Sequence, residues 1–62
     1  MSIQELDPKT IKFGRNIRGW SQRQLGEATG LRPWRIWAIE NGVYEPRVDE
    51  LARILKALST ND

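Results

Sequence analysis

Arg32, Trp34, Arg35 and Trp37 stand within six consecutive residues, and the chemistry open to such a set is recognition. A guanidinium makes bidentate hydrogen bonds to planar acceptors, and an indole offers a broad apolar face with one N–H donor. Acid–base and nucleophilic chemistry have little to work with. The 62 residues contain no histidine and no cysteine, which removes imidazole, thiolate, the usual soft metal ligands and disulfides together. Asp49 and Glu50 are neighbouring carboxylates, but successive helix positions point about 100° apart, so they do not converge readily on one substrate. The expectation is a protein that is not an enzyme, with no cofactor and no metal.

Short helices must position these side chains, and the punctuation for them is plain. Asp7-Pro8 opens a first helix, with Asp capping orphan amides and Pro losing no needed hydrogen bond at the first helical position. Gly19 closes it. Ser21-Gln22-Arg23-Gln24 has the spacing of a capping box, Ser reaching forward and Gln reaching back. This second helix runs to about Thr29, where Gly30 supplies the left-handed residue that ends it. Pro33 opens the third helix and Asn41-Gly42 ends it. Asp49 and Glu50 form the acidic first turn of a fourth, whose Val48, Leu51, Ile54, Leu55 and Leu58 fall on one stripe and read as core. No repeat or low-complexity linker interrupts the chain, so residues 1–62 form a single all-α domain.

The net charge is only +2, yet it is unevenly spread. Between Lys9 and Arg35 there are seven basic residues, Lys9, Lys12, Arg15, Arg18, Arg23, Arg32 and Arg35, against Glu27 alone, a window of +6. A localised positive field of this kind suits phosphate neutralisation, although basic helix faces are also often merely solvated. No stretch approaches the roughly 20 apolar residues of a membrane span, and Met1 to Asp7 lacks the layout of a secretory signal. A soluble cytoplasmic protein without a small-molecule pocket is the expectation.

Two short helices joined by a Gly-containing turn, from about 21 to 41, have the spacing of a helix-turn-helix. The segments Arg15-Asn16-Ile17-Arg18-Gly19-Trp20-Ser21-Gln22-Arg23-Gln24-Leu25 and Ile36-Trp37-Ala38-Ile39-Glu40-Asn41-Gly42 make the signal specific. Over Ile11 to Leu58 the chain resembles the Cro and phage-repressor family of helix-turn-helix proteins. That resemblance implies a compact domain of four helices, or five, that binds double-stranded DNA as a transcriptional regulator, a repressor above all, of bacterial or phage type and associated with the nucleoid. It implies a structural ion pair between Arg15 and Glu40. It also implies phosphate contacts from Gln22, Asn41 and Arg47, against the alternatives of a solvent-facing Gln22 and an ordinary surface charge at Arg47. A homodimer on a palindromic site is a further family expectation, but the tail Leu58 to Asp62 lacks the usual apolar fifth helix.

Angular placement on the third helix, at about 100° per residue, sets Ile36, Ile39 and Glu40 inward and Trp34, Trp37, Ala38 and Asn41 outward. The resemblance makes that outward side the base-reading surface, with Arg32, Pro33, Trp34, Arg35, Trp37 and Ala38 as its candidates. Family members mostly carry polar residues there, so this set departs from the pattern. Arginine can read guanine, and tryptophan can pack on thymine methyls. The alternatives are that Trp37 folds back over the core, and that the Trp34 and Trp37 face anchors a protein partner, as in an antitoxin or anti-repressor complex. Trp20 reads as core. Phe13 and Ile17 form a second apolar seam, to be covered by Ile3 and Leu6, by the end of the fourth helix, or by a second chain. Gly14 stands where the family often has a larger apolar residue, which should cost local helix stability of about 1 kcal/mol relative to Ala.

Overall fold

A computed structural model describes residues 7–59, and these form four helices with no strand among them. They are α1 (Pro8–Ile17), α2 (Gln22–Thr29), α3 (Pro33–Glu40) and α4 (Val48–Ser59). Ile3, Leu6 and the tail Thr60 to Asp62, on which the leading-segment cover and the fifth helix depend, lie outside the described residues.

Local chemistry starts and stops each element. The Asp7 side chain accepts from the Lys9 amide at 2.9 Å, with Pro8 in the first turn. At α2 the capping box is complete: the Gln24 amide donates to Ser21 Oγ at 3.1 Å, and the Ser21 amide donates to Gln24 Oε1 at 2.7 Å. Gly30 then takes φ +79° and ends the helix, its amide and that of Leu31 both donating to the Gly26 carbonyl. Gly26 is required by closeness and not by φ. A Cβ there would stand 2.4 Å from the Leu31 carbonyl oxygen, so the turn between α2 and α3 can only be this tight over a bare Cα.

Ile11, Leu25, Ile36, Ile39, Leu51 and Ile54 make the buried core, and Trp20, Leu31, Tyr44, Leu55, Ala57 and Leu58 pack around it. Each helix contributes one stripe, which is how four short helices share one small interior. α1 packs against α3 and α4, and α2 packs against the same two, so α3 is clamped on its inner side. Leu58 reaches α1 beside Gly14, where a Cβ would lie 3.3 Å from Leu58 Cδ1. The missing side chain thus lets the two helices approach.

Two expectations about the interior are corrected. Val48 is 68% exposed, and the buried residue of that first turn is Glu50. The helical stripe is sound from Leu51 onward, but its first member projects beyond the end of the core, where none of the described residues covers it. Phe13 and Ile17 are 65% and 68% exposed, so the end of α4 does not cover the seam. Leu58 is directed to Gly14 instead.

Candidate nucleic-acid interface

Arg15 and Glu40 tie α1 to the end of α3. Arg15 Nε donates to Glu40 Oε2 at 2.7 Å and Nη2 donates to Oε1 at 3.0 Å, while Nη1 donates to the Trp20 carbonyl at 2.8 Å. The carboxylate side chain is 1% exposed and the guanidinium 10%. Hydrogen bonding to Glu40 raises the Arg15 pKa above its ordinary value, against the lowering effect of burial. Gln22, at the start of α2, donates from Nε2 to Glu40 Oε1 at 3.2 Å. It is half-buried and anchored, not a freely solvated residue. One amide hydrogen is thereby engaged and the second remains available to an anion.

The outer side of α3 is apolar and uncovered. Trp34 is 57% exposed and Trp37 49%, so Trp37 does not fold back over the core. Helical spacing sets Trp34, Trp37 and Asn41 within about 60° of one another, and Asn41 is exposed as the C-cap, its Nδ2 donating to the Trp37 carbonyl at 2.8 Å. Arg32 and Pro33 stand exposed at the head of the helix; Arg32 is the N-cap and contributes no side-chain cap. Val43, 69% exposed, follows the other end, and Arg47 is exposed just before α4, beside Asp49. The indoles of Trp34 and Trp37 and the amide of Asn41 therefore share one helix face, with Arg32 exposed at its head.

Two of the six base-reading candidates do not belong to that exposed set. Ala38 is 3% exposed. The chain after Gly42 folds back on it, the Val43 and Tyr44 amides both donating to the Ala38 carbonyl, and a lone methyl needs little cover. Arg35 is turned to the α4 side. Its Nη1 donates to Glu50 Oε2 at 2.5 Å and to the Tyr44 hydroxyl at 3.1 Å, and its guanidinium carbon lies over the Tyr44 ring at 4.4 Å and the Trp34 ring at 5.0 Å. Freeing it to reach a base would leave the Glu50 carboxylate buried without its counter-charge.

Glu50 is the residue that sequence reasoning missed. Its Oε1 accepts from the Tyr44 hydroxyl at 3.0 Å and from the Arg47 amide at 2.9 Å. Burial raises its carboxyl, but the Arg47 amide, the Tyr44 hydroxyl and the Arg35 charge outweigh that and hold its pKa below the ordinary value. Burial, reinforced by the bond to Glu50, pushes the Tyr44 phenol upward. The legible signal was the spacing from Arg47 to Glu50: an N3 glutamate reaching back to the amide just before the helix is half of a capping box. Asp49 is exposed and faces Arg47 and Arg53, so the two neighbouring carboxylates serve separate ion pairs.

The charge pattern also changes when folded. Of the seven basic residues from Lys9 to Arg35, Arg15 and Arg35 are neutralised by buried carboxylates. Arg18 donates to the Leu58 carbonyl at the end of α4 and lies 5.6 Å from the Trp20 ring centre, while Arg23 faces Glu27 at 3.5 Å. The positive field offered to solvent is smaller than the window implied, and Arg32 is its contribution at the head of α3. Among the described residues no cluster of acidic, His or Cys side chains could hold a metal, and no helix is long and apolar enough to cross a membrane.

An all-helical domain that clamps two short helices about a glycine turn, and leaves the outer face of the second open, is a helix-turn-helix domain. The helix-turn-helix family model matches residues 11–61, and the chain belongs to that family, in the Cro and phage-repressor type that its sequence resembles. It is a family of DNA-binding transcription regulators. No curated protein and no solved structure matches the chain.

Proposed function

We propose that the protein is a sequence-specific transcriptional repressor that lays α3 in the major groove of double-stranded DNA and acts by occupying its operator. The observation that carries this reading is the exposed pair Trp34 and Trp37 on the outer face of a helix whose inner face is fixed in the core, with Arg32 and Pro33 exposed at its head. An apolar surface of that size on so small a domain is expected to meet a partner. Trp34 and Trp37 pack on thymine methyls and sugar edges, and Arg32 donates to guanine or to a phosphate at the head of the helix. Gln22, Asn41 and Arg47 hold phosphates on either side and set the register of the helix. The protein works without cofactor or catalysis, in the compartment that holds its DNA. Two chains bind one palindromic site, with half-sites about 34 Å apart, one turn of the duplex.

Selection of bound sequences from a random duplex library, followed by titration of the best sequence at two salt concentrations, tests this. A defined two-fold motif is expected, with affinity falling steeply as salt rises and with tryptophan fluorescence perturbed on binding. A single unrepeated half-site would remove the pairing and keep the readout. No enrichment, with fluorescence unchanged by any duplex, would overturn the DNA reading and turn the tryptophan face to a protein partner.

A further inference from the structure

We infer that Arg35 and Glu50 are positioning residues for Trp34: the buried ion pair holds a flat guanidinium against the indole and so fixes the ring that reads the duplex. The inference rests on the DNA-reading function proposed above and assigns a specificity role to residues that never touch a base.

Trp34 is the more exposed of the two tryptophans on the outer face, at 57% against 49% for Trp37, and the solvent side of its ring is open. A recess of about 270 Å³, lined by Leu31, Arg32, Trp34, Arg35 and Glu50 among others, borders it, so close packing does not lock the indole on that side. Against the ring lies the Arg35 guanidinium, 5.0 Å from the ring centre. Arg35 in turn lies 4.4 Å from the Tyr44 ring centre and is tethered through Nη1 to Glu50 Oε2 and the Tyr44 hydroxyl. Glu50 cannot drift, because its other oxygen accepts from the Tyr44 hydroxyl and the Arg47 amide. The guanidinium is thus held by one nitrogen and by two aromatic faces. Its Nε is buried with no hydrogen-bond partner among the described residues. An unpaired buried donor is a cost, which the ion pair and the two ring contacts must offset. A chain of contacts runs from the first turn of α4, through Arg35, to the reading surface of α3.

A side chain immobilised before binding loses less freedom on the duplex, and the benefit goes to the sequences that fit its fixed orientation. Releasing the ring should therefore lower discrimination among base pairs more than it lowers binding as such. Arg35→Lys isolates the effect, since lysine retains a cation for Glu50 but has no planar face to lay on the indole. Glu50→Gln tests the tether from the other end with a side chain of the same shape.

The experiment selects sequences with the wild type, then measures the affinity of each variant for the selected duplex and for its single-base-pair variants, with circular dichroism to verify folding. The Trp34 indole N–H is followed by nitrogen–proton correlation spectra. Arg35→Lys and Glu50→Gln are expected to reduce preference by about three- to tenfold at the same base pair that Trp34→Ala relaxes. They should also move the Trp34 indole signal in the free protein, and Arg35→Lys should reduce preference no further once Trp34 is Ala. Loss at a different base pair would mean that Arg35 reads DNA itself, and would overturn the positioning role. Unchanged preference in both folded variants would overturn it as well, while leaving the DNA-reading function intact. Failure of the wild type to select any sequence would overturn the function and this inference together.

Discussion

Glu40 and Arg15, 25 residues apart in the chain, are joined by two hydrogen bonds of 2.7 and 3.0 Å inside the domain. The pair connects the last turn of α3 to α1, and through Gln22 it reaches the first turn of α2. The helix proposed to enter the groove and the helix proposed to rest on the backbone are therefore braced by the same carboxylate.

Removal of that carboxylate should be costly. Glu40→Ala leaves the Arg15 guanidinium in a site where its side chain is 10% exposed, and breaking a buried pair from one side typically costs about 3 to 5 kcal/mol. Thermal melting monitored by circular dichroism should show a large fall in Tm. A double replacement, Arg15→Met with Glu40→Leu, should recover much of the loss, because it strands no charge. An unaltered Tm in the single variant would mean that Arg15 finds water or another acceptor.

The two helical glycines should respond in opposite directions to alanine. Helix propensity alone favours Ala by about 1 kcal/mol at each. At Gly26 the new Cβ meets the Leu31 backbone oxygen at 2.4 Å, which cannot retreat without opening the turn, so Gly26→Ala should lower Tm. At Gly14 it meets the flexible end of Leu58 at 3.3 Å, so Gly14→Ala should be neutral or raise Tm. A Tm increase in both would contradict the close approach of α2 to the following turn.

Acid should unfold the protein partly through Glu50. Its pKa is held below the ordinary 4.5, and a group depressed in the folded state contributes stability that is present above its unfolded pKa. That contribution is lost as pH falls from 4.5 through the folded value. Melting curves across this range should show Tm declining in the wild type and declining less in Glu50→Gln. Parallel declines would assign the acid sensitivity to other carboxylates.

Contacts to phosphate and to bases should separate in competition binding. Gln22→Ala should weaken all duplexes alike, because a phosphate carries no sequence information. Arg32→Ala should cost about 1 to 3 kcal/mol on the selected site and relax preference at one base pair if the residue reads guanine. Uniform loss from both would move Arg32 to the backbone-contacting group.

Asp7, the Ser21 to Gln24 capping box, Gly30 and Pro33 act within a few residues of themselves, and Asp49 and Glu50 mark the first turn of α4, so all four helices could be placed from the chain alone. The inward placement of Ile36, Ile39 and Glu40 was equally legible, since it follows from the helical repeat. Periodicity assigns a direction to a side chain, but it does not say whether another element stands in that direction. Val48 points along the core stripe into solvent, and Ala38 points outward beneath the chain that returns after Gly42. Ion partners escape local reading for the same reason. Arg35 is 15 residues from Glu50, and only the tertiary fold that brings the first turn of α4 to the first turn of α3 makes one buried carboxylate the counter-charge of one arginine, withdrawing it from the outer face and setting it against Trp34.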